Sequence, residues 1–141
     1  MAGSARGGAE LFFERLSMAQ TADQRPVRAL IRHDAGREAR LRAANVETQT
    51  FRFGGMLDVG TKPRLQKSLR EFQPDVVVAW MSRAARKLPS GPWRTAGRLG
   101  GYYDLSNYRN CEHLIGNTRG LADWMKAQGW PVDRVHYVPN F

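Results

Sequence analysis

The stretch best suited to chemistry is Gly7-Gly8-Ala9-Glu10. Two glycines directly before a helix let backbone N–H groups come close to a phosphate, and the helix dipole favours its charge. Glu10 puts an acid in the first turn, and Leu11, Phe12, Leu16 and Ala19 follow at helical spacing. The plainer reading is a flexible N-terminus ending in a surface helix. A second group, Arg83, Arg86 and Lys87, comes after the run Asp75-Val-Val-Val-Ala-Trp80, where a cationic cluster can meet an anionic ligand or simply form a short solvated helix. A third is Tyr102, Tyr103, Asp104, Asn107 and Tyr108. Hydroxyls, an amide and a carboxylate at such spacing suit a sugar, although tyrosine is also common filler at a sheet edge. His33 stands at the end of a strand-like segment and can titrate near neutral pH, but such a residue is more often a polar strand terminus.

The elements that must position these groups alternate along the chain. Asp75 to Trp80 is short, apolar and β-branched with no alternation, as in a strand covered on both faces of a parallel sheet. Before it, Leu65, Leu69 and Phe72 mark an amphipathic helix over 62–72. Further strands are predicted over 27–33, over 46–53 nearer a sheet edge, over 100–105 with the Gly100-Gly101 pair at its start, over 112–117 and over 135–138. Helices are predicted over 10–19, 37–44 and 119–128, the last capped by Asn117 or Thr118 and stopped by Gly129. This order predicts an α/β fold, a Rossmann-like, doubly wound, mainly parallel sheet with helices on both faces, whose ligand crevice lies beyond the carboxyl ends of the strands.

A chain of 141 residues, 42% hydrophobic and 25% charged, matches one ordinary globular domain. The lone Cys111 can form no internal disulfide and no apolar leader follows Met1, so the expected setting is cytoplasmic, possible peripheral contact with an anionic membrane surface aside. No apolar run approaches the length of a bilayer span. The outlier is charge, +9 from 22 Lys and Arg against 13 Asp and Glu, which favours anionic partners or a merely solvated basic exterior. No metal site is expected, because there is no Asp-x-Asp pair and no His or Cys cluster at ligand spacing.

The glycine-opened helix, Gln73-Pro74-Asp75-Val76-Val77, and above all Cys111 to Phe141 resemble the amino-terminal half of a GT-B glycosyltransferase of family 4. The resemblance is carried by Ile115-Gly116-Asn117-Thr118 and then by Gly129-Trp-Pro-Val-Asp-Arg-Val-His-Tyr-Val-Pro-Asn-Phe141. It implies one domain over residues 1–141, with the family's first strand missing before Gly7 and the carboxyl-terminal donor-binding domain absent. It implies transfer of a sugar from a nucleotide-sugar, with retention, to a glycan or lipid-linked acceptor, such as one in lipopolysaccharide or surface polysaccharide synthesis. No cofactor or metal is implied, the nucleotide-sugar being a substrate, and this half alone should not transfer sugar. On the same resemblance Gly7, Gly8 and Glu10 lie against the donor phosphates, Arg83, Tyr103 and Asn107 contact the acceptor, and Asp104 is the catalytic candidate. The alternative is a basic α/β module for nucleic acid or phosphate, weakened for nucleic acid because the arginines are scattered over many elements.

Overall fold

The computed structural model describes residues 1–3, 7–54 and 57–141. In chain order they form α1 (Gly8–Ala22), β1 (Arg28–Arg32), α2 (Ala35–Ala43), β2 (Glu47–Phe51), α3 (Thr61–Phe72), β3 (Val76–Trp80), α4 (Met81–Lys87) and β4 (Arg94–Leu99). A 3-10 turn (Leu105–Tyr108), β5 (His113–Gly116), α5 (Arg119–Ala127), a second 3-10 turn (Val132–Arg134) and β6 (Val135–Tyr137) complete the chain. Every strand pair is parallel, β1 with β2 and, in order, β3, β4, β5 and β6. Parallel neighbours need crossovers, and helices supply most of them.

Alternation along the strands sorts the helices into two layers. Ala29 and Ile31 of β1 pack with Phe12 and Phe13 of α1 and Leu41 of α2. Leu30, between them, faces the other way, toward a cluster holding Leu65 of α3, Ala84 and Ala85 of α4, and Leu121 and Met125 of α5. Likewise Ala79 joins the second cluster and its neighbour Trp80 the first. Helices therefore cover both faces, and the fold is the doubly wound, Rossmann-like arrangement that the sequence predicts.

Local chemistry fixes the element ends. Asp34 accepts from the Arg37 N–H at 2.9 Å to cap α2, and Thr118, rather than Asn117, accepts from Leu121 N–H at 3.1 Å to cap α5. Between α1 and α2, Glu14 is buried and shared by two arginines: Arg37 Nε donates to Oε1 at 3.1 Å, and Arg40 donates to both oxygens at 2.8 and 2.9 Å. Burial alone would raise the Glu14 pKa, but the Arg40 and Arg37 hydrogen bonds outweigh it and hold the carboxyl below its ordinary value.

Three sequence expectations need correction. β3 is not covered along its length: Val76 and Val78 are 55% and 37% exposed, because among the described residues β3 pairs only with β4 and so forms a sheet edge. The strand expected over 100–105 lies just before it, at Arg94–Leu99. There Gly97 admits the Tyr108 ring, whose Cδ1 would sit 2.5 Å from an added Cβ. The first residues are not a loose tail. Met1 donates to Leu30 O at 2.7 Å and accepts from Arg32 N–H at 2.9 Å, the two bonds of a parallel pairing, and Met1 and Ala2 are buried.

Candidate functional site

The carboxyl ends of β1, β2 and β3 open into a cavity of about 1110 Å³. β1 contributes its last residue, Arg32, and the segment after β2 contributes Phe53, Gly54 and Asp58. One wall is α3, through Lys62, Pro63, Gln66 and Arg70. The other is α4, through Arg83, Arg86 and Lys87, with Arg109 from just beyond the 3-10 turn. Parallel strands end on one side of the sheet and the following loops start there, so cations distant in sequence converge.

The floor of this cavity is held rigidly. Asp58 accepts from Gly54 N–H at 2.7 Å and Thr61 N–H at 3.0 Å, and Lys87 Nζ donates to the Asp58 carbonyl at 2.7 Å, tying the loop to α4. Hydrogen bonding from Thr61 holds the Asp58 carboxyl below its ordinary value. Two non-glycine residues beside the cavity have left-handed backbone, Phe53 at φ 43° and Met81 at φ 69°. Such conformations cost of order 1–3 kcal/mol each and cluster at binding sites.

The glycine-opened helix meets the same edge. Gly7 is the N-cap of α1 and Gly8 its first residue, and an added Cβ at Gly8 would meet nothing within 4 Å. Ala9, in that first turn, would lie 3.9 Å from a Cβ placed on Gly100 just after β4, and Met81 Sδ, opening α4, 3.8 Å from it. The first turn of α1 thus stands over the ends of β3 and β4, next to the helix that carries Arg83. Glu10 is turned back: it is buried, and its carboxylate lies against Gly3 and Gly7.

Of the residues singled out in the sequence, Arg83 lines the cavity and is exposed. Asp104 caps the 3-10 turn, accepting from Ser106 N–H at 2.9 Å and Ser106 Oγ at 2.8 Å, and the Ser106 bonds hold its carboxyl below the ordinary value. Asn107 donates to the Asp104 carbonyl at 2.9 Å, and Tyr103 packs half-buried over Gly101. These three share the loop after β4 but do not line the cavity. His33 is exposed just past β1. Arg32, Arg70 and Arg109 were not singled out, and only Asp58-x-x-Thr61, a capping pattern, could have announced the loop that shapes the floor. Burial pushes the Cys111 thiol up to about 12, so it stays protonated and is no nucleophile.

The carboxyl-terminal stretch is anchored to this edge through Arg98. Its Nη2 donates to Val138 O at 2.9 Å and Asn140 Oδ1 at 2.8 Å, while its guanidinium lies over Phe12 and Trp80. Among the described residues no helix is long and apolar enough to cross a membrane, and no group of three or more His, Cys, Asp or Glu side chains could hold a metal ion.

No protein-family model matches the chain. Among curated proteins it is 35% identical over 140 residues to the lipopolysaccharide core biosynthesis glycosyltransferase LpsD of Rhizobium meliloti (strain 1021) and 32% identical over 145 residues to LpsE of the same organism. Each alignment takes in 96% of this chain but 40% of the relative, so the chain spans less than half the length of the curated relatives it matches. Among solved structures, Anabaena HepE in complex with UDP-glucose superposes with a TM-score of 0.74 at 14% identity, over 99% of this chain and 42% of HepE. HepE with UDP and glucose gives 0.73. The chain is similar in sequence to part of two lipopolysaccharide core glycosyltransferases, and its Rossmann-like fold is that of part of HepE.

Proposed function

We propose that this chain is the acceptor-side half of a GT-B glycosyltransferase that moves a sugar from a nucleotide-sugar to a glycan or lipid-linked acceptor in lipopolysaccharide core synthesis. The observation that carries the reading is the meeting, at one sheet edge, of a glycine-opened helix and a cationic cavity. The sequence likeness to LpsD and LpsE supports the activity, and the UDP-glucose and UDP in the HepE structures support a uridine nucleotide-sugar as donor. In this reading the α1 N-terminus, through Gly7 and Gly8, offers free N–H groups to the donor diphosphate. Glu10 shapes that loop from behind. Arg83 contacts the acceptor, with Tyr103 and Asn107 at its margin. Asp104, ionised at neutral pH and engaged with Ser106, acts as a fixed negative charge rather than as a proton donor. Family 4 membership, retention of configuration, freedom from cofactors, dependence on a partner domain for the remaining donor contacts, and contact with an anionic membrane surface belong to the same proposal.

The test is a fusion of this chain to the remaining portion of LpsD, assayed for transfer of labelled glucose from UDP-glucose to deacylated lipopolysaccharide core. Transfer that falls at least tenfold on Gly8→Val supports the proposal. A folded fusion that binds UDP and transfers nothing overturns the activity.

A further inference from the structure

We propose that the cavity takes an acceptor glycan carrying at least two anionic groups, phosphate or carboxylate, a specificity that rests on the glycosyltransferase reading above. Six of the cations that line it are uncompensated. Most other arginines are engaged: Arg25, Arg28, Arg37, Arg40, Arg42 and Arg94 in ion pairs, Arg98 with Val138 and Asn140. Among the described residues, Arg32, Lys62, Arg70, Arg83, Arg86 and Arg109 make no ion pair and donate no side-chain hydrogen bond to the protein, yet all six line one cavity. The one carboxylate in the lining, Asp58, already accepts from Gly54 and Thr61. Like charges gathered in a concave site repel one another and focus a positive field into it, which an anionic ligand relieves.

Geometry sets the number of anions. Lys62 and Arg70 stand on the α3 wall and Arg83 and Arg86 on the α4 wall. The space between these walls is near 1110 Å³, slightly larger than ordinary small-molecule sites and far larger than one phosphate. Guanidinium forks match phosphate and carboxylate oxygens in pairs, so each wall is furnished for its own anionic group with sugar between them.

Calorimetric titration of the chain tests this with glucose 1,6-bisphosphate, digalacturonate, glucose 6-phosphate, inorganic phosphate and maltotriose. At least one of the two sugars with two anionic groups should bind about tenfold tighter than glucose 6-phosphate, and which one does so separates phosphate from carboxylate. Arg83→Gln and Arg109→Gln should each weaken it about fivefold or more, whereas Arg134→Gln, outside the cavity, should not. Maltotriose binding equally well overturns the proposal, as does an equal loss with Arg134→Gln. Tighter capture by phosphatidylglycerol vesicles or a single-stranded oligonucleotide, undisturbed by the sugars with two anionic groups, overturns it in favour of a membrane or nucleic-acid surface. The two readings fail separately: transfer by the LpsD fusion to a neutral acceptor alone overturns the acceptor class and spares the enzyme, whereas selective binding of the bisphosphate without transfer supports the two-anion site and overturns the enzyme.

Discussion

Arg98, in the middle of the sheet, donates to Asn140 Oδ1 at 2.8 Å across an interval of 42 residues, and so the last segment of the chain is fixed by a charge on β4. The same nitrogen donates to Val138 O, and the guanidinium lies 4.7 Å from the Phe12 ring centroid, so α1, β4 and the carboxyl-terminal stretch are one unit. Arg98→Met keeps the aliphatic stem and removes both hydrogen bonds and the cation–π contacts with Phe12 and Trp80. It should cost about 2–4 kcal/mol in urea unfolding. Asn140→Ala removes one acceptor only and should cost about half as much. Equal losses, or none, would mean that the segment is held by Phe141 packing on Phe12 instead.

Glu14 carries the second prediction. Replacing it with Gln leaves Arg37, almost fully buried, with only the more distant Asp34 carboxylate at 3.8 Å to balance it, and should cost about 3 kcal/mol. Because the Glu14 pKa is lowered on folding, its contribution is complete above the ordinary carboxylate range and is lost as pH falls through the folded value. Urea midpoints measured from pH 6 down to pH 3 should therefore fall less steeply for Glu14→Gln than for the parent chain. Identical slopes would remove Glu14 from the account of acid sensitivity.

Two glycines make opposite predictions. At Gly97 an added methyl would press on Tyr108 Cδ1 at 2.5 Å and Cys111 Sγ at 3.0 Å, so Gly97→Ala should destabilise by about 1–3 kcal/mol. Gly8→Ala meets open space at the start of α1 and should change stability by no more than about 0.5 kcal/mol. Thermal melts of the two variants decide it. A large loss at Gly8 would show that this glycine serves the fold rather than ligand approach.

The contrast between these positions shows what could be seen in the sequence. Helical spacing in Leu65, Leu69 and Phe72 and the apolar run at Val76 to Trp80 were legible because local periodicity reports which faces are buried. The exposure of Val76 was not, since a run of valines says nothing about whether both neighbouring strands are present. Arg83 was legible through its place after a strand. Arg32 and Arg109 were not, because only the crossovers of the chain bring residues 77 positions apart to one cavity, and single arginines carry no signal of convergence. The Glu14–Arg37–Arg40 cluster was hidden for the same reason: opposite charges 23 and 26 residues apart read as solvated helix faces until α1 and α2 pack.

The last prediction concerns the Met1 amino group, which donates to Leu30 O inside the first hydrophobic cluster. Burial, helped by the nearby Arg37 charge, lowers its pKa from 8.0 to about 5. Between those values the unfolded chain holds a proton that the folded chain does not, so stability should rise with pH from 5 to 8, with the full penalty present below pH 5. The gap corresponds to roughly 4 kcal/mol, an upper figure given local relaxation. Nα-acetylation keeps an N–H for Leu30 and removes the charge, so the acetylated chain should lack this rise. Every other titratable group is common to both forms and cancels in the difference. Urea midpoints of the acetylated and free chains should therefore lie furthest apart at pH 5 and converge by pH 8. Parallel curves would show that the amine reaches water and that Met1 pairs with β1 without burying a charge.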